Sequence, residues 1–124
     1  MIDLVDTEYC LRARSLGFQI VLAPCATLLH RIGDPMYRFI GRRGPFRVSN
    51  HSPQRHYYMT RNLLVMVTRY WGKYPEWCRE VLMGLIWRTV IVVLFEKQRL
   101  RKLINMAWGF IDAMRGRMGK VVEL

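Results

Sequence analysis

The first part of the chain alternates between a helical and an extended pattern of apolar positions. Residues 7–16 predict a short helix, with Asp6 or Thr7 as its N-cap and Gly17 just past its end. Residues 18–23 and 26–30 predict two short strands separated by Pro24. These elements indicate that the first part of the chain has an α/β structure.

A glycine- and proline-containing stretch follows at residues 32–51, and it predicts a loop that carries four arginines. The loop is long for a compact domain, which is typical of a functional or disordered segment.

The remainder of the chain predicts helices. Ser52 and Pro53 supply an N-cap and a first-turn proline, and the helix should run to about Trp71 before Gly72. From Pro75 onward the pattern predicts two helices with a break within residues 96–101, or one long helix. The tail beyond these helices is expected to fray.

Residues 81–95 form an apolar run whose length argues against a membrane span. Its fifteen positions would cover about 22 Å as a helix, short of the roughly 30 Å hydrocarbon core of a bilayer. Arg88 lies in its middle, and a basic cluster follows it. Two interpretations stay open: a helix lying in a membrane interface, and a buried helix of a larger protein.

Charge adds a second constraint, because the formal net charge is +11. No acidic residue occurs from Pro35 to Pro75, where eight Lys and Arg residues occur. Such a stretch attracts phosphate on a nucleotide, a nucleic acid or a lipid headgroup, and composition does not choose among them.

The three cysteines lack metal-ligand spacing, so a disulfide framework is not expected and a reducing compartment is favoured. The first residues lack the basic region and cleavage site of a signal peptide, so none is expected.

Two polar groups are candidates for chemistry. Asp3, Asp6 and Glu8 precede a helix, where clustered carboxylates suit a divalent cation or a general base, or merely a helix cap. On the second helix, Arg55, Tyr58 and Asn62 fall on one face that suits a diphosphate and a stacked ring, or an ordinary mixed surface.

Three spaced blocks together resemble a known family. They are IDxVDTEYCLRARxxGF at residues 2–18, PxAxLxHxxG at residues 24–33 and HSPxRxYYxxRN at residues 51–62. With their spacing preserved, they resemble the second acidic motif and following segments of inverting family-2 glycosyltransferases, especially rhamnosyltransferases. The resemblance covers residues 2 to about 70, and the helical tail only in character.

The resemblance implies an α/β fold, mostly helical in this portion: the C-terminal part of a GT-A nucleotide-diphospho-sugar transferase followed by amphipathic helices. Residues 1–50 would end the catalytic domain, and residues 51–124 would form a helical region at the membrane surface. The family's N-terminal half, with its Asp-x-Asp metal motif, should precede residue 1, so the chain alone is expected to be inactive. Met1 is a true start, an internal methionine or an artefact of the assigned start.

The resemblance also implies a role for each matched residue. Asp6 matches the catalytic base, and Asp3, Glu8 and Arg12 match supporting positions of the acidic motif. His30 matches a position that can ligate a divalent cation, Mg or Mn. The donor or acceptor would lie near a further set on the second helix: Arg55, Tyr58, Arg61 and Asn62.

The expected partners are a nucleotide-diphospho-sugar donor such as dTDP-rhamnose, a polysaccharide or lipid-linked glycan acceptor, and the inner face of the cytoplasmic membrane. Nucleic acid is not favoured. The alternative hypothesis is a basic membrane- or nucleic-acid-binding module without catalysis, which explains the charge but not the spaced motifs.

Overall fold

The computed structural model describes residues 4–21, 23–25, 27, 36–40, 43–48 and 51–120, and this part of the chain is mostly helical. Four helices and one hairpin follow in order: α1 Val5–Ser15, β1 Met36–Ile40, β2 Arg43–Val48, α2 Pro53–Tyr70, α3 Pro75–Phe95 and α4 Arg99–Met114.

Helix α1 confirms the first predicted helix but not its cap. Leu4 occupies the N-cap position in the left-handed region, with φ of 63°, and no side chain caps the helix. The predicted cap residue Asp6 instead lies within the first turn, where its charge favours the positive end of the helix. Gly17 follows the helix at φ of 89°, as a C-terminal glycine should.

The strand predicted at residues 18–23 is wrong for the residues that the structure describes. Phe18, Ile20 and Val21 are exposed and belong to no strand. A strand needs a partner to satisfy its backbone groups, and no described segment pairs with this one. Of the second predicted strand, residues 26 and 28–30 lie outside the described residues.

The predicted loop at residues 32–51 contains a hairpin instead. Strands β1 and β2 pair antiparallel, with Met36 opposite Val48 and an irregularity between Phe39 and Ile40. The loop was predicted from the glycines and prolines of this segment. The β-branched and aromatic residues of both strands instead favour extended pairing. Proline is tolerated here because a two-stranded sheet consists only of edges.

The later helix boundaries confirm the sequence prediction. Ser52 caps α2 by accepting a hydrogen bond from the Arg55 amide at 3.3 Å, and Pro53 occupies the first turn. Helices α3 and α4 are separate, with Gln98 in the left-handed region at φ of 54° between them. The one-long-helix alternative is therefore wrong.

The principal helix packing is between α2 and α4, which meet along their length. Gly109 makes the closest approach, because a Cβ there would lie 2.5 Å from the Tyr57 carbonyl oxygen and 3.3 Å from the Arg61 amide nitrogen. A smaller apolar cluster joins α1 to the end of α2 and the start of α3 through Leu11, Met66 and Cys78.

We predict that Gly109→Ala lowers the free energy of unfolding by about 1–3 kcal/mol, because the added methyl group would push α2 and α4 apart. Gly84→Ala is the matched control: it lies within α3 with open space around it, and should raise stability by about 0.5–1 kcal/mol. Urea unfolding of both variants measures this. Equal effects of the two substitutions would contradict the close contact.

Candidate functional site

The two described acids of the acidic motif, Asp6 and Glu8, differ in their contacts. Glu8 contacts three groups: it lies 3.6 Å from Arg12, 3.5 Å from Arg69 and accepts a hydrogen bond from the Tyr70 hydroxyl at 3.3 Å. Burial, and then the nearby Glu8 carboxylate, raise the pKa of Tyr70 above its usual 10. Glu8 therefore fastens α1 to the end of α2.

Asp6 differs from Glu8 in both exposure and bonding. Its side chain is exposed, and within the described part of the chain it makes no hydrogen bond or ion pair. An exposed carboxylate in the first turn of a helix keeps its oxygens accessible to a substrate. Of the two described acids of the motif, Asp6 is therefore the accessible one.

Arg61 of α2 makes several hydrogen bonds and ring contacts, and only 3% of it is exposed. Its guanidinium lies 5.3 Å from the ring centre of Tyr57 and 5.1 Å from that of Tyr58. It donates to the Gly119 carbonyl oxygen at 2.9 Å and to the Asn62 side-chain oxygen at 3.3 Å. These bonds hold the Tyr58 ring and the C-terminal tail against α2.

A tyrosine–aspartate hydrogen bond connects this arginine to α4. The Tyr57 hydroxyl donates to the Asp112 carboxylate at 2.7 Å and accepts from Arg61 at 3.4 Å. Burial and the Asp112 hydrogen bond raise the pKa of Tyr57 above its usual 10, so the hydroxyl keeps its proton.

The predicted donor-binding face of α2 therefore runs from exposed to buried positions. Arg55 is exposed, Tyr58 is half-buried and Asn62 is fully buried. Glu8 meets the opposite end of the helix, at Arg69 and Tyr70. The described contacts join Tyr58, Arg61 and Asn62 to one another, but they do not join these residues to Asp6.

The sequence reasoning missed a buried cluster of His56, Glu96 and Lys102, which come from α2, the α3–α4 connection and α4. Lys102 Nζ donates to Glu96 Oε2 at 2.6 Å, while His56 Nε2 lies 3.3 Å from the same oxygen without hydrogen-bond alignment. His56 was visible in the sequence, but no local signal could pair it with residues forty positions away.

Burial lowers the pKa of His56 from 6.5 to about 4. The nearby Glu96 carboxylate opposes this shift, whereas the positive charges of Lys102 and Arg88 reinforce it. The imidazole is therefore neutral at physiological pH, packed beside a buried ion pair.

A mostly apolar cavity of about 300 Å³ lies between α2, α3 and the start of α1. Arg88 reaches into it from α3, and its Nη1 lies 2.9 Å from the Met59 sulfur. Leu4 and Leu63 also line it, so the first turn of α1 lies beside the middle of α2.

The predicted metal site cannot be built from the described residues. Asp3 and His30 lie outside them, and within them no group of three or more His, Cys, Asp or Glu side chains could hold a metal ion.

Comparison with known proteins indicates the general class of protein that this chain resembles. The chain is 30% identical over 118 residues to a dTDP-rhamnosyl transferase of Shigella flexneri. The match covers 95% of this chain but only 38% of the length of that relative. No family model matches the chain. No solved structure matches it either. The chain is thus similar to part of a glycosyltransferase.

We predict that acid destabilises the fold through His56. The unfolded histidine binds a proton below pH 6.5 and the folded one only below about 4, so stability falls as pH drops through that window. The loss should reach about 2 kcal/mol by pH 5. Urea unfolding at pH 7 and pH 5 measures it.

The variant His56→Gln should flatten this pH dependence, because the titrating group is gone. His51→Gln is the matched control, since His51 is half-buried at the same end of α2, and it should keep the dependence. An unchanged slope in His56→Gln would exclude His56 as the source.

Proposed function

We propose that this chain is the acceptor-side portion of an inverting rhamnosyltransferase, one that transfers rhamnose from dTDP-rhamnose to a glycan acceptor. The observation that carries the proposal is the match of 95% of the chain to a dTDP-rhamnosyl transferase. Because the chain spans 38% of that relative, the remaining portion would supply the nucleotide pocket.

Asp6 is the proposed base. Its carboxylate would accept the proton of the acceptor hydroxyl while that oxygen forms a bond to the anomeric carbon. The bond from the anomeric carbon to the diphosphate oxygen breaks on the opposite face, and the nucleoside diphosphate leaves with the electron pair. The exposure of Asp6 and its lack of partners in the described part of the chain support this role.

The supporting residues would position Asp6 rather than react. Glu8 fixes α1 to α2 through Tyr70 and Arg69, which sets where the first turn of α1 lies. Arg12 holds the other oxygen of Glu8 one helical turn away. Because both of its oxygens are held by these contacts, Glu8 has a structural role and is not the proposed base.

On α2 we assign substrate contact to the accessible residues. Arg55 is exposed and could meet the donor diphosphate, and the half-buried Tyr58 offers a ring for stacking. Arg61 and Asn62 are buried and would act indirectly, because their hydrogen bonds and the arginine stacking hold the Tyr58 ring in place.

The test is a chimera in which this chain replaces the matching segment of the Shigella flexneri relative. In cells lacking that relative, the chimera should restore incorporation of labelled rhamnose into glycan. Asp6→Asn should reduce transfer by at least about 100-fold, the contribution expected of a general base, while the level of folded chimera stays unchanged.

Glu76→Gln is the matched control, because Glu76 is also an exposed acid in the first turn of a helix. It should leave transfer unchanged. Full activity of Asp6→Asn would remove Asp6 as the base, and a folded but inactive chimera would contradict the proposed function itself.

A further inference from the structure

Helix α3 is apolar, yet the structure leaves most of it uncovered. Among its described residues only Cys78 and Val92 are buried. The exposed apolar side chains recur at helical spacing and form one stripe, with Trp87 67% exposed. We call this set the α3 stripe: Met83, Ile86, Trp87, Val90 and Leu94.

A second exposed stripe lies on α4. Leu100, Ile104 and Trp108 are exposed at intervals of four residues, on the side away from α2. A groove lined by Phe95, Leu100 and Ile104 joins the end of α3 to the start of this stripe. The α3 stripe ends at Leu94 and the α4 stripe begins at Leu100, on either side of the α3–α4 connection in the sequence.

The exposed charges around the α4 stripe are positive, whereas the start of α3 carries the exposed acids Glu76 and Glu80 beside Arg79. Residues 81–120 contain two acids, Glu96 and Asp112, and both are engaged inside the fold, with Lys102 and Tyr57. The exposed basic side chains flank α4 at both ends: Lys97, Arg99, Arg101, Arg115, Arg117 and Lys120. A surface of this kind complements an anionic partner.

In the described part of the chain no helix has the length and apolarity needed to cross a bilayer. Arg88 interrupts the apolar run near its middle. An apolar stripe beside basic residues suits a helix that lies in the plane of the interface.

We propose that the α3 and α4 stripes dock the protein on the interfacial region of an anionic lipid bilayer. The apolar side chains enter the boundary between headgroups and acyl chains, and the flanking Lys and Arg side chains contact lipid phosphates. Glycosyl transfer does not require this property, so the inference goes beyond the proposed function and stands on different observations.

Charge favours this occupant over a second copy of the chain, because two copies would bring equally basic rims together. A different apolar surface, formed by the exposed Phe18, Ile20 and Val21 beside α1, is available for contact with the rest of a longer enzyme.

The experiment measures flotation of the 124-residue chain with vesicles that contain phosphatidylglycerol. Ile86→Asn combined with Trp87→Asn should weaken binding at least about tenfold, because two inserting side chains are lost. The matched control is Val21→Asn with Trp71→Asn, which removes exposed apolar side chains of similar kind outside the stripes, and it should bind normally. Circular dichroism confirms that both variants fold.

Part of the binding should survive about 1 M salt, where charge interactions extend only about 3 Å. Lipids brominated in their acyl chains should quench the tryptophan fluorescence to which Trp87 and Trp108 contribute. Three outcomes would overturn the proposal. They are equal losses in both double variants, complete release by salt with equal binding to heparin, and a lipid-free dimer that the Ile86/Trp87 variant dissociates.

Discussion

A buried arginine determines much of this structure. Arg61 lies against two tyrosine rings that also contact each other, and its donors are satisfied by Asn62 beside it and by Gly119 beyond α4. A guanidinium cannot be deprotonated in a protein, so burying it is tolerable only with such partners. Tyr57 carries the connection onward to Asp112. The contact of α2 with α4 therefore depends on polar groups as well as on the close approach at Gly109.

This constraint changes how the motif of α2 is understood. From the sequence, its polar residues resemble a substrate-binding face. In the structure, however, Arg61 and Asn62 hydrogen-bond to each other inside the fold. Asp6 is the contrasting case, a polar residue of the acidic motif with no partner in the described part of the chain. The distinction matters because a bonded polar side chain must break its bonds before it can contact a ligand, whereas an unbonded one is ready.

Local signals predicted the helices but not the strands. Ser52, Pro53 and Gly72 bound α2 because caps and breakers act within a few residues. The apolar residues Phe18, Ile20 and Val21 form no strand, because a strand depends on a partner that local pattern does not supply. The hairpin was not predicted, because the glycine and proline residues of that segment favour a loop when no strand partner is known. The cluster of His56, Glu96 and Lys102 could not be predicted, since its members come from three separate elements.

Helix α4 links the two proposals physically. One of its faces, with Asn105, Met106 and Gly109, packs on α2, and the other presents the exposed stripe. The two nearest acids, Glu96 and Asp112, are bonded to Lys102 and Tyr57. The outward face of α4 in the folded chain therefore presents basic and apolar side chains. A bilayer that held α4 would also fix the orientation of α2, because the close contact at Gly109 leaves little room for the helices to slide. Membrane contact would then set the direction in which Arg55 and Tyr58 face an acceptor.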